Sequence, residues 1–304
     1  MELLKKLIEI PGPSGEEKQI KDFIYNYVTE NKKHWKYQPE IIHGEEYQDC
    51  IMLKFGKPQL AIFAHMDTVG FHVKYGKELI KIGGPAIIQG TVLVGTDSKG
   101  PVECSLIVDE ETKKLYYKFN RLIDPGTSLI FKPEFKEKKE YIESCFLDDR
   151  LGIWVLLKLA ENLSDGLLIF TCWEEHGGGS VSYLAKTAYE KYNINKALIA
   201  DITWVTEGVQ KGKGVAISQR DKYIPRKSFF NKITEIAKSH NVDFQTEVED
   251  AGGSDGSEIQ RSPYPIDWCF IGAPELNNHS PNEIVYKSDI ATMLKLYEIL
   301  SLKL

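Results

Sequence analysis

The segment QLAIFAHMD, residues 59–67, sets the strongest limit on how the chain folds. Successive side chains of a strand point to opposite faces, so a run that is apolar on both faces needs cover on both. That places it in the middle of a sheet with layers packed on each side. A second apolar run, LLIFTCWEEHGGGS over 167–180, stops abruptly on two glutamates and three glycines. Around these runs the pattern predicts strands over 167–173, 196–201, near 213–219 and over 265–272. It predicts helices over 149–163, 180–191, 226–240 and 286–302. The N-terminal part reads as a short helix, a Pro/Gly turn and a second helix. Ser14 and Glu17 form an expected capping box, and Ile20, Phe23, Ile24, Tyr27 and Val28 follow helical spacing.

Between about 71 and 143 the texture changes. Short β-rich runs such as AIIQGTVLVG, CSLIVD and KLYYKF are split by turns, with no helical pattern among them. The expected fold class is therefore α/β, a central mixed sheet covered by helices on both faces. Residues 1–70 and 144–304 form one catalytic unit, and 71–143 an inserted β domain. A chain of 304 residues is long enough for this. Its formal charge of -6 argues against nucleic acid or an anionic membrane as partner. No apolar run of signal or spanning length is present, so a cytoplasmic protein is expected. The five cysteines are scattered without CxxC spacing and read as buried thiols.

Open α/β sheets place their sites at the carboxyl ends of strands. Polar residues recur there: His65 and Asp67 in AIFAHMD, Asp148 and Asp149 in CFLDDRLG, Glu174 and Glu175 in TCWEE, Asp201 in ALIAD, and His279 in NNHSPNE. Singly, each has an ordinary explanation, such as a helix cap or a core histidine. Asp255, after a Gly-rich turn, reads as an N-cap or as a residue shaping the pocket. Together they put several carboxylates where burial is expensive without positive charge. Arg150 is the only arginine adjacent to these motifs. A metal pair would supply the charge, and histidine with carboxylate but no thiolate suits zinc, cobalt or manganese in a catalytic site. Two such ions could clamp a bridging hydroxide, leaving one glutamate as base. An acid pair of a glycoside hydrolase must flank its bond from opposite sides, about 5 to 9.5 Å apart, which adjacent residues do not readily achieve.

AHMDTVGF, LDDRLG, EEHGGG, ALIADITW, GKGVAIS, AGGSDGSEIQ and NNHSPNE, in this order, resemble the tetrahedral-aminopeptidase family, glutamyl and deblocking aminopeptidases that use two metals. The resemblance implies a zinc-exopeptidase-like fold with a small inserted β barrel. It implies Asp148 as the bridging ligand, His65 and His279 on either side of it, and Glu175 and Asp201 completing the set. Glu174 would be the general base and Asp67 would orient His65. Also implied are two divalent ions (zinc, or else cobalt or manganese), peptide substrates and a homo-oligomer from dimer to dodecamer. Related two-metal carboxypeptidases and N-acyl-amino-acid deacylases share similar motifs, but carry their extra domain later in the chain. Here the ligand spacings are 83, 27, 26 and 78, with the large early gap at the β insertion. A homologue that binds metal without turnover is the other alternative. Three positions depart from the family: His176 replaces a small apolar residue, and Leu276 and Asn277 replace an arginine and a tyrosine.

Overall fold

The computed structural model describes residues 1–304. In chain order the helices are α1 (Glu2–Glu9), α2 (Lys18–Asn31), α3 (Leu147–Ala160), α4 (Ser180–Lys186), α5 (Lys227–Ser239), α6 (Asp255–Arg261) and α7 (Lys287–Lys303). The strands are β1 (Glu40–Ile42), β2 (Ile51–Phe55), β3 (Ala61–His65), β4 (Gly70–Val73), β5 (Glu78–Ile82), β6 (Val92–Asp97), β7 (Gly100–Val108), β8 (Leu115–Lys118), β9 (Ser128–Phe131), β10 (Lys136–Glu137), β11 (Tyr141–Ser144), β12 (Gly166–Thr171), β13 (Lys196–Trp204), β14 (Val215–Arg220), β15 (Phe244–Val248), β16 (Asp267–Leu276) and β17 (Glu283–Tyr286).

Eleven strands form one mixed sheet in the order β1-β2-β12-β3-β13-β16-β17-β11-β10, with β14 and β15 attached beside β16. The four central strands β12, β3, β13 and β16 are parallel, and their neighbours on both sides are antiparallel. Every residue of β3 and β12 is buried, as the apolar sequence of β3 requires. Two groups of helices supply the cover. One is α3, which packs on β3 and β13, together with α1, α5 and α7; the other is α4 and α6, which pack on β12, β3 and β13. Six strands, β4-β5-β8-β7-β6-β9, close into a small barrel with its own core around Phe71, Leu106, Tyr117 and Phe131.

Four local expectations are corrected. Strands β10 and β11, expected within the inserted β stretch, hydrogen-bond into the large sheet instead. The expected helix over 180–191 ends at Lys186 and continues as a wider π turn over Thr187–Lys191. Helix α2 starts at Lys18 without a side-chain cap. The Ser14 hydroxyl donates to Asp67 Oδ2 at 2.6 Å, and Glu17 Oε1 accepts from Gly15 N–H at 2.9 Å and Trp173 N–H at 3.1 Å. A buried long-range partner outweighs the local cap, so the capping box does not form. Helix α6 is capped by Ser254, which leaves Asp255 to accept the Thr171 hydroxyl at 2.6 Å.

Candidate metal centre and active site

Parallel strands bring their carboxyl ends to one edge. The register pairs His65 with Thr171 of β12, and Phe63 with Ile199 of β13, so two residues further on Asp201 stands level with His65. Asp148 arrives from the start of α3, where Asp148 and Asp149 are not helical and the regular turns begin after them. The neighbouring Asp149 accepts Gly152 N–H at 2.8 Å and His65 N–H at 3.2 Å, which sets it beside His65 and Asp201.

The two oxygens of Asp148 face two different imidazoles. His65 Nε2 lies 3.0 Å from Oδ1, and His279 Nε2 lies 3.1 Å from Oδ2. On the first side Asp201 Oδ1 is 3.8 Å from His65 Nε2; on the second Glu175 Oε2 is 3.2 Å from His279 Nε2. Each histidine is aimed by a carbonyl on its other nitrogen. His65 Nδ1 meets the Asp67 carbonyl at 3.1 Å, and His279 Nδ1 meets the Gly84 carbonyl at 3.2 Å. This is how ligand histidines are usually oriented.

The strand expected over 167–173 ends at Thr171, so the glutamate pair does not sit on alternating strand faces. Trp173 takes left-handed backbone, and Glu174–His176 form a single 3-10 turn running into three glycines that all have positive φ. Asp67 holds that turn, its Oδ1 accepting Glu174 N–H and its Oδ2 accepting Glu175 N–H, both at 3.0 Å. Phe146, Trp173, Asn277 and His279 are half of the eight non-glycine residues with positive φ, and each is a ligand candidate or lies within two residues of one. Such backbone clusters where a site must be held against its intrinsic preference.

Burial pushes the Glu174 and Glu175 carboxyls well above the usual range, and Asp201 up to about 8, with neighbouring carboxylates adding to the effect. Burial also pushes on Asp148, but the two imidazoles outweigh it and hold that carboxyl below its usual range. Glu175 Oε1 is buried with no hydrogen-bond partner. Arg150, fully buried, donates to the carbonyls of Met66 and Ile10 and forms no ion pair with the cluster. The donor set is oxygen and nitrogen and falls into two groups that share His65, one with Asp148 and Glu175 and one with Asp149 and Asp201; no lysine or arginine pairs with it. It fits divalent ions.

Several residues at the site carry no local sequence signal. Asn278 Nδ2 donates to Asp148 Oδ2 at 3.1 Å and to Glu275 Oε2 at 2.9 Å. Glu283 Oε2 accepts Leu147 N–H at 2.7 Å, which fixes the approach to Asp148. His176 Nδ1 accepts Gly83 N–H at 2.9 Å, tying the glutamate turn to the loop that leaves β5. A side chain on Gly83 would come within 2.9 Å of the Glu175 carbonyl, and one on Gly84 within 3.2 Å of His279 Nδ1. His72 lies in β4, paired with Ile80 and Ser128.

The M42 glutamyl aminopeptidase profile matches residues 93–296, about two thirds of the chain. The chain belongs to this family. It is a peptidase, a hydrolase of peptide bonds. A protein of Acetivibrio thermocellus that carries a provisional aminopeptidase name is 26% identical, over 97% of this chain and 96% of that one. Among solved structures, the TET aminopeptidase from the marine sediment archaeon Thaumarchaeota archaeon SCGC AB-539-E09 has the same fold. It superposes with a TM-score of 0.85 at 18% identity, covering 99% of this chain and 95% of the other. The TET1 peptidase of Pyrococcus horikoshii, described as assembling into a tetrahedron or a large octahedral shell, gives 0.84 at 23% identity, covering 100% and 99%.

Proposed function

We propose that the chain removes the N-terminal residue of peptides at a two-metal centre. His65, Asp148 and Asp201 would hold one ion, and Asp148, Glu175 and His279 the other, with zinc the metal that suits this donor set best. The observation that carries the reading is Asp148, whose two oxygens face two separately oriented histidines. The bound ions would supply Lewis acidity, lowering the pKa of a water and polarising the scissile carbonyl. Metal binding also removes the need for protons on the two imidazoles.

Glu174 lines the cleft beside this centre, and its carboxylate forms an ion pair with neither ligand histidine. Burial favours a carboxylate that accepts a proton readily, so Glu174 takes the proton from water and returns it to the leaving amine. Asp67 sets the angle of both the glutamate turn and His65. We assign residues 1–70 and 144–304, together with β10 and β11, to the catalytic unit, and the barrel strands β4 to β9 of the 71–143 stretch to an inserted domain. The shells described for the Pyrococcus horikoshii relative support a homo-oligomer here, which light scattering would test. No helix is long and apolar enough to cross a membrane, in keeping with a cytoplasmic location.

The deciding experiment loads the protein with zinc, counts bound metal and assays aminoacyl-anilides beside N-acyl amino acids and C-terminally varied peptides. Two ions per chain and cleavage only from free N-termini are expected. Cleavage of acyl-amino acids or of C-terminal residues would instead support a deacylase or carboxypeptidase. Two bound ions without turnover would make the chain a metal-binding homologue.

A further inference from the structure

The cleft beside the proposed centre holds more negative charge than the chemistry requires. Asp148, Glu174, Glu175 and Asp201 are accounted for by two divalent ions and a base. Asp221, Glu247 and Glu249 line the same cavity of about 290 Å³, and no lysine or arginine does. Glu247 is 5% exposed and Asp221 7%. One oxygen of each is engaged, Glu247 Oε1 by the Thr203 hydroxyl and Asp221 Oδ1 by Tyr223 N–H at 2.5 Å. The Ser218 hydroxyl also faces Glu247, the second Asp221 oxygen accepts no hydrogen bond, and both carboxylates line the cavity. No cation acts on either group, and Asp221 and Glu249 both raise the Glu247 carboxyl further. Carboxylates buried to this degree without a positive partner are destabilising unless something cationic enters.

The rest of the cleft has a matching shape. Thr203 follows Asp201 by two residues on β13, so the Glu247 carboxylate it holds lies on the same side, about 7 Å along from the proposed ligand. Ile202, Phe270 and the partly exposed Trp204 provide apolar wall in the same cavity. A cleft that combines apolar wall with carboxylates beside the reacting centre suits a long aliphatic stem with a cationic tip.

We propose that this cleft selects peptides whose N-terminal residue is lysine or arginine, with Glu247, Glu249 and Asp221 as the specificity-determining carboxylates. The proposal rests on the aminopeptidase reading above. The stem lies against Ile202, Trp204 and Phe270, and the ammonium or guanidinium completes the unfilled side of the carboxylate group. An acidic N-terminal residue meets repulsion in the same place, so selection works by exclusion as well as attraction.

The test compares kcat/KM for lysyl-, arginyl-, leucyl- and glutamyl-anilides in the zinc-loaded protein and in its Glu247→Gln and Glu249→Gln variants. Lysyl and arginyl substrates should exceed leucyl by about tenfold or more, and glutamyl should be the poorest. Each variant should lower the lysyl-to-leucyl ratio by roughly tenfold, through KM. Glu249 is only partly buried, so its variant reads the cleft even where Glu247→Gln fails to fold. An unchanged ratio in the variants overturns the proposal. So does an equal loss on lysyl and leucyl substrates, which would make these carboxylates an anchor for the α-ammonium of every peptide. Failure to cleave any anilide would reject the aminopeptidase reading itself, and the cleft is then read by calorimetry. Lysinamide binding more tightly than leucinamide sustains the cationic pocket; equal binding removes it.

Discussion

Asp67 joins three parts of the chain that are remote in sequence. It accepts the Ser14 hydroxyl and both N–H groups of the glutamate pair, and its carbonyl aims His65. Asp67→Asn puts an amide donor against N–H groups that need an acceptor, so the turn shifts and Glu174 and Glu175 move with it. Activity should fall about 10- to 100-fold with weaker metal retention, measured by zinc competition alongside turnover. Glu174→Gln should behave differently. It should lose roughly 100- to 10,000-fold in kcat while both ions stay bound, read by elemental analysis of the purified variant. Metal loss in parallel with activity would make Glu174 a ligand. Residues of this kind were visible in the sequence where an apolar run stopped on an acid or histidine, because burial makes an unpaired polar group there conspicuous. Ser14, Glu17, Asn278 and Glu283 gave no such signal. Their partners lie 53, 156, 130 and 136 positions away, and nothing in their own neighbourhoods requires those contacts.

Among the elements, the parallel strands carry the argument. Their apolar sequences read as buried strands, and the register brings the polar residues at their carboxyl ends to one edge, where a strand covered on both faces leaves room for chemistry. The glutamate turn was legible in composition but not in conformation. The strand stops at Thr171, and Glu174 and Glu175 are placed by a 3-10 turn that the glycines and left-handed Trp173 allow. The loop leaving β5 went unread, since Gly83 and Gly84 act through backbone groups that any sequence possesses. Gly84→Val forces a side chain against His279 and should weaken the ion held by His279 and Glu175 by about 10- to 100-fold. The ion held by His65 and Asp201 should keep its affinity, so a biphasic zinc titration separates the two. His176→Ala releases only the Gly83 N–H and should produce a smaller shift of the same kind.

For the molecule as a whole, the crowded carboxylates set how metal and pH act on stability. In the metal-free protein burial raises Asp201 from 3.8 to about 8 and Asp255 from 3.8 to about 7, and raises Glu174 and Glu175 as well. Acids with raised folded-state pKa values bind more protons folded than unfolded, so stability falls as pH climbs from about 4 to 8. His65 and His279, also raised, contribute in the same direction above their unfolded values. The chelated protein should therefore melt at a higher temperature near pH 5.5 than near pH 8, and zinc should reverse that order; calorimetry at both pH values checks it. The Gly84 carbonyl, on the loop that joins barrel strands β5 and β6, orients a ligand carried on the loop between β16 and β17 of the main sheet. Any gain in ion affinity that this docked loop provides must be returned, in equal free energy, as resistance of the loop to detachment. Zinc should thus slow amide hydrogen exchange around Gly83, far along the chain from four of the five ligands, and a partner that grips the barrel would adjust the metal centre without touching it.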